Sequence, residues 1–256
     1  MMRTIVDVHA HLWLGPSLEQ NEREILRAMD RYEIARVCVS TLEGERLRPD
    51  SDLIRRCNDA TERFLKQDKR LRGYCYVNPG NPDVLEELKR GYDTPGMCGV
   101  KLWVSHYCSD PAVFPVVEFC VERGWPVLIH SFYKAVGQLP NETTGVHVAQ
   151  LARRYPQAKL IMAHLGANCY DGIKAVRDCT NVMVDISGTI CRRDDVDYTV
   201  ECIGADRVLF GTDMPSPGNF LANVGRVLEA DLTEEQREKI FWKNAVSLWG
   251  EGLEAD

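Results

Sequence analysis

Short apolar runs rich in β-branched residues alternate with longer amphipathic stretches along the whole of this chain. The strand-like runs fall at 5–9, 36–40, 73–77, 99–103, 127–130, 160–164, 182–186 and 208–211. Between them, the stretches 17–32, 50–67, 111–122 and 144–155 repeat apolar residues every three or four positions, the spacing of a helix with one buried face. Leu18, Ile25, Leu26 and Met29 mark that face in the first helix, and Leu53, Ile54, Cys57, Phe64 and Leu65 mark it in the second. About eight such β-α repeats in 256 residues predict an α/β fold, a single (β/α)₈ TIM barrel over residues 1–256 with an extra C-terminal helix. A doubly wound open sheet is the alternative, but no G-x-G-x-x-G turn follows the first strand. Asp110-Pro111 and the capping box Thr233-Glu234-Glu235-Gln236 predict two helix starts. The last helix is expected to pack Ile240, Phe241, Trp242, Val246 and Leu248 on the barrel exterior.

Composition excludes several classes. The net charge of -7 argues against a polyanionic partner, so no nucleic acid is expected. No apolar run approaches the roughly 20 residues of a membrane helix, so no membrane is expected either. The first strand begins close to the first residue, which leaves no room for a signal peptide, and a cytoplasmic location is expected. None of the ten cysteines forms a C-x-x-C pair. Cys38, Cys75 and Cys98 fall inside strand-like runs, where thiols are expected to be small buried hydrophobes.

The ends of the strands carry the chemistry. His9 and His11 close the first run, His130 the fifth, His164 the sixth and Asp213 the eighth. In a closed parallel barrel the C-terminal strand ends share one mouth, and the eighth strand lies beside the first, so these residues become candidates for one metal site. Strand alternation predicts that Asp7, His9 and His11 point to one face, with Val6 and Val8 on the other. Three polar side chains buried there need partners, and a divalent cation would supply them. A lone histidine after an apolar run is more often a core or loop residue than a ligand; four at equivalent places are harder to dismiss. His147 lies within a helical stretch and is expected to be structural, whereas His106 follows the fourth strand and is a candidate substrate contact. Lys101, in an apolar strand, is read as a hydrated amine at the mouth, as a substrate-carboxylate contact, or as a carbamylated lysine bridging two metals.

Asp7-Val8-His9-Ala10-His11, the Gly-Val-Lys-Leu segment at 99–102, Val127-Leu128-Ile129-His130, Ala163-His164-Leu165-Gly166 and Phe210-Gly211-Thr212-Asp213-Met214-Pro215 together resemble the amidohydrolase superfamily. The branch resembled is the amidohydrolase 2 group of metal-dependent TIM-barrel hydrolases, which also contains non-oxidative decarboxylases and lactonases. The resemblance implies metal ligands at His9, His11, His130 and Asp213. It makes His164 an acid/base or a ligand of a second metal. It implies a divalent cofactor, zinc first and Mn, Fe, Co or Ni as alternatives, as one ion or two. The family often has His-Pro after the Lys-Leu of strand four; here Trp103-Val104 stand there, so substrate contacts of that loop do not carry over directly. TatD-type nucleases share the first-strand H-x-H but usually carry a glutamate where Lys101 stands and Glu-Thr-Asp where Gly211-Thr212-Asp213 stand.

The expected activity is hydrolysis of a C–N or C–O bond of a small molecule by metal-activated water, with Asp213 or His164 handling the proton. Loss of CO₂ from a carboxylated aromatic or unsaturated acid at the same site is the alternative, and a TatD-type nuclease the second. Specificity is expected from the βα loops. Trp103 and His106 are candidates there. So are Arg46 and Arg48 after strand two, Ser131 to Lys134 after strand five, and Arg192 and Arg193 after strand seven. The arginines suit an anionic substrate. A homo-oligomer is compatible with the sequence, whereas the presence of all five strand-end residues speaks against a catalytically silent metal-binding barrel.

Overall fold

The computed structural model describes residues 4–44, 46–215 and 219–250. Its elements follow in strict alternation: β1 (Val6–Trp13), α1 (Leu18–Arg31), β2 (Arg36–Leu42), α2 (Ser51–Leu65), β3 (Leu71–Tyr76), α3 (Val84–Asp93), β4 (Met97–Leu102) and α4 (Phe114–Arg123). The second half continues with β5 (Val127–Ile129), α5 (Gly145–Arg154), β6 (Leu160–Met162), α6 (Cys169–Val176), β7 (Val182–Asp185), α7 (Asp195–Ile203), β8 (Val208–Leu209) and α8 (Phe220–Glu229). The eight strands are parallel and ordered as in the sequence. The sheet closes where Val8 N–H donates to the Phe210 carbonyl at 3.0 Å and His11 N–H to the Met214 carbonyl at 2.9 Å. The Asp7 carboxylate reinforces this seam by accepting from Thr212 N–H and Thr212 Oγ1. This is the predicted TIM barrel.

Alternation along the strands separates two cores. Val37, Val100, Ile129, Met162 and Val184 face outward and pack with helical residues such as Ile25, Phe64, Leu88 and Ile173. Val6, Val8, Cys38, Tyr74, Leu128, Ile161 and Leu209 fill the barrel's lower interior. Both sets are almost wholly removed from water, and each buried aliphatic side chain contributes roughly 1.5–3 kcal/mol. The expected thiol environment is found: Cys38, Cys75 and Cys98 are buried, all ten cysteines are unbridged, and Cys191 alone is exposed.

Two expectations are corrected. Simple alternation fails in β1, because the register with β2 shifts between Asp7 and Ala10. This bulge lets Val6 and Val8 face the interior core and still brings His9 and His11 inward above them. Asp7 does not join the histidines; it turns to β8. The second correction concerns the end of the chain. Helix α9 (Glu234–Glu238), opened by the predicted Thr233–Gln236 capping box, runs through a π turn (Lys239–Lys243) into α10 (Asn244–Trp249). Ile240 and Phe241 join the outer core, but Ala245 and Leu248 pack under the barrel's interior residues. The Trp249 indole N–H donates to the Cys98 carbonyl at 2.8 Å and Lys159 Nζ donates to the Leu248 carbonyl at 2.9 Å. The last helix therefore closes the floor.

Candidate active site

Above the apolar floor the interior turns polar. His9 and His11 place their Nε2 atoms 2.9 Å apart, and Asp213 Oδ1 lies 3.6 Å from the first and 3.2 Å from the second. All three residues are buried. Residues separated by two hundred positions thus meet, as strand-end placement in a closed barrel predicts. His9 Nδ1–H donates to Asp185 Oδ2 at 2.9 Å, so its Nε2 presents a lone pair to the centre. His11 Nδ1 meets Ser40 Oγ at 2.9 Å. Lys101 Nζ, wholly buried, approaches His9 Nε2 at 2.9 Å.

A second histidine pair stands alongside. Ser187 Oγ–H donates to Asp185 Oδ1 at 2.5 Å, so the oxygen accepts from His164 Nδ1–H at 2.9 Å and leaves His164 Nε2 bare. That nitrogen faces His130 Nδ1 at 3.2 Å. His130 Nε2–H donates to Glu142 Oε1 at 3.1 Å. His164 stands in a tight left-handed turn with φ of 60°, followed by Leu165 at 49°. Non-glycine residues there cost on the order of 1–3 kcal/mol each, a feature common at functional sites. Asp213 also has positive φ, at 65°. Gly188 is required beside this ring: its φ is +95°, and a Cβ would come within 3.1 Å of His164 Nδ1.

Burial governs the protonation of these groups. It lowers the pKa of His9 and His11, to which the Lys101 charge adds, and it takes His164 down to about 4. His130 is lowered by burial despite the Glu142 hydrogen bond. Burial likewise brings Lys101 down to about 8. Burial opposes ionisation of Asp213, but the His11 hydrogen bond and the neighbouring His164, His11 and His9 together outweigh it and hold the carboxyl well below its ordinary range. Neutral imidazoles around an ionised carboxylate are the ligand form for a divalent cation. The His9, His11 and Asp213 donor set fits such a group, because lone pairs converge on one space. The set His9, His164 and Asp185 also clusters, but there each imidazole Nδ1–H already has an oxygen partner.

The mouth opens into a cavity of about 290 Å³ whose walls include Trp13, Leu42, Trp103, Phe132 and Leu139, with His11, His130, His164 and Asp213 at its base. Trp13 and Trp103 meet edge to face with centroids 6.0 Å apart, and Phe132 stacks on His130 at 5.7 Å. Trp103 lines this cavity, as do Phe132 and Lys134 of the segment expected after strand five. The arginines and His106 lie elsewhere. Arg46 is exposed and pairs with Asp50 at 3.5 Å, and Arg192 lines a separate surface cleft with Asp195 and Arg226. Arg48 reaches the Ser105 carbonyl, and Arg193 pairs with Asp194. His106 sits 3.6 Å from Asp110 and is not among the cavity's walls. His147 is structural as expected, but in the first turn of α5, where it completes a capping box with Thr144. Asp185, Ser187, Ser40 and Glu142 carry roles that sequence reasoning missed. Asp185 and Ser187 close the seventh strand, as His130 and His164 close theirs, and that shared position was the available signal.

Fold and site together define a metal-centred (β/α)₈ barrel enzyme. Residues 6–250 match the amidohydrolase family Amidohydro_2, and the chain belongs to it. That assignment takes the place of the TatD-type alternative. No curated relative matches the sequence. Among solved structures, the chain is similar to 2,6-dihydroxybenzoate decarboxylase from Rhizobium, with 18% identity, a TM-score of 0.78, and 97% of this chain and 99% of that one covered. It is similar to dihydroxybenzoic acid decarboxylase from Polaromonas sp. JS666, solved with bound manganese and the inhibitor 2-nitroresorcinol (19% identity, TM-score 0.75, 97% of each chain). It is also similar to 5-carboxyvanillate decarboxylase from Sphingomonas paucimobilis (15% identity, TM-score 0.74, 97% of this chain and 99% of that one). Among the described residues no helix is long and apolar enough to cross a membrane.

Proposed function

We propose that this protein removes CO₂ from a small planar aromatic carboxylic acid at a divalent cation held by His9, His11 and Asp213, with His130 completing the set. The observation that carries this reading is the narrow aromatic cavity standing directly on the donor set. Its walls at Trp13, Trp103 and Phe132 suit a flat ring, and their apolar surface favours the change from a charged carboxylate to neutral CO₂. The similar structures named as decarboxylases of aromatic acids support the same choice. The cation, when bound, supplies positive charge for the acid's oxygens; manganese and zinc both suit a mixed imidazole and carboxylate set. Lys101, buried against His9, adds a second positive group beside the donor set. As the C–C bond breaks, the electron pair stays on the ring carbon, and that carbon takes a proton from His164 in its charged form. Burial takes the His164 pKa to about 4, so the imidazole is neutral at rest, and the proton it passes on is first taken up from solvent at the bare Nε2.

Hydrolysis is a second reading, favoured by the ionised Asp213 beside both first-strand histidines, a place where a water's proton can be taken. One experiment separates them. Protein loaded with manganese, and separately with zinc, is incubated with hydroxylated benzoates and with aryl esters, lactones and amides. CO₂ release from at least one benzoate, abolished by chelator and by Asp213→Ala, is the expected result. Turnover confined to the esters, lactones or amides overturns decarboxylation. Absence of stoichiometric divalent metal in every preparation removes both readings.

A further inference from the structure

The chemistry above uses His130 but leaves unexplained the group behind it. Glu142 belongs to the long β5–α5 loop, yet its side chain is only 1% exposed. A carboxylate buried in a loop needs donors, and four converge on it. Oε1 accepts from His130 Nε2 at 3.1 Å and Lys134 Nζ at 2.8 Å. Oε2 accepts from Lys134 Nζ at 2.9 Å, Gln138 Nε2 at 2.9 Å and Leu139 N–H at 3.0 Å. Every partner is a donor, one of them the Lys134 ammonium, so both oxygens act as acceptors. The loop that carries it also places Phe132 and Leu139 in the cavity wall.

We propose that Glu142 is a positioning residue that fixes the His130 tautomer and couples it to the specificity loop. An ionised carboxylate is acceptor-only, so it places the imidazole proton on Nε2 and leaves Nδ1 bare toward His164 and the site. The other tautomer would donate to the bare His164 Nε2 at 3.2 Å and leave His130 no lone pair for the centre, so the Glu142 acceptor is what sets the choice between the two. Anchoring by Lys134, Gln138 and the Leu139 amide keeps the carboxylate in place, so the ring's orientation and the cavity wall share one support. The affinity arm below rests on the proposed metal role of His130; the tautomer arm does not.

Glu142→Gln distinguishes charge from shape. Its one carbonyl oxygen goes to the side with more donors, facing Lys134, Gln138 and Leu139. That turns its NH₂ toward His130 Nε2, which must then accept. Nitrogen-15 spectra of metal-free protein, read at neutral pH where His130 is uncharged, are expected to show Nε2 protonated in the native chain and Nδ1 protonated in the variant. Zinc affinity, measured by competition with a chromophoric chelator, is expected to fall about 10- to 100-fold, the usual effect of removing a ligand's outer partner. Glu142→Asp is expected to restore part of it. Glu142→Met, which has no oxygen, provides a second variant. A native spectrum with the proton on Nδ1 overturns the proposal. So does retention of the native tautomer in both the Gln and Met variants. A tautomer switch with unchanged zinc affinity upholds the positioning role and instead removes His130 from the metal set.

Discussion

The lower and upper halves of the barrel interior are built from the same strands only two or three residues apart, yet they are chemically opposite. Below lie Cys38, Tyr74, Leu128, Ile161 and Leu209. Above, on the same strands or the turns that end them, lie Ser40, Tyr76, His130, His164 and Gly211, with Lys101 and Asp185 from their neighbours. The lower residues are satisfied mainly by apolar contact, with the Tyr74 hydroxyl donating to the Val8 carbonyl at 2.9 Å. Above, Ser40, Lys101, His130, His164 and Asp185 each depend on a polar partner. A change below is thus paid in stability and a change above in chemistry, and the boundary is sharp enough to test.

Leu128→Ala probes the lower half and should show the largest effect. It opens a void where relaxation is limited, so a loss of about 2–5 kcal/mol is expected in denaturant unfolding. Zinc affinity of the folded protein should be unchanged. A matching loss of affinity would mean that floor and site are one unit. Asp185→Asn probes the upper half. The carboxylate holds His9 Nδ1–H, Ser187 Oγ and the His164 amide, so affinity for zinc should fall about 10- to 100-fold. Its melting temperature without metal should change far less than that of Leu128→Ala. The smallest effect belongs outside both halves. Arg46→Ala removes an exposed ion pair worth at most about 1 kcal/mol and, lying away from the cavity, should leave the Michaelis constant for any accepted acid unchanged.

The same contrast explains how much could be read from the sequence. The strands announced themselves because both cores demand apolar side chains at regular intervals. The centre announced itself because histidine and aspartate are conspicuous after such runs, as with His9, His11 and Asp213. What escaped notice had no such contrast. The β1 bulge inserts one residue without altering composition, so alternation placed Val6 and Val8 on the wrong side. Asp185 and Ser187 are ordinary strand-end residues until His9 and His164 are seen beside them. Glu142 is one acidic residue in a loop of mixed character, and its burial depends on contacts that no local pattern encodes. Arg46 and Arg192 show the converse: charge in a loop suggested a substrate, whereas Arg46 sits in an exposed pair with Asp50 and Arg192 in a separate surface cleft. The C-terminal helix kept its amphipathic signature, but the π turn at 239–243 precedes the segment that passes beneath the barrel.

The seam between β1 and β8 has a consequence for biogenesis. A nascent chain that has displayed its first seven strands carries both histidines of the centre but lacks the carboxylate that faces them, and the Thr212 donors to Asp7 have not yet been synthesised. On the proposed reading, cation capture by the full set waits until residue 213 has been synthesised, which would make metal occupancy a report that the ring has shut.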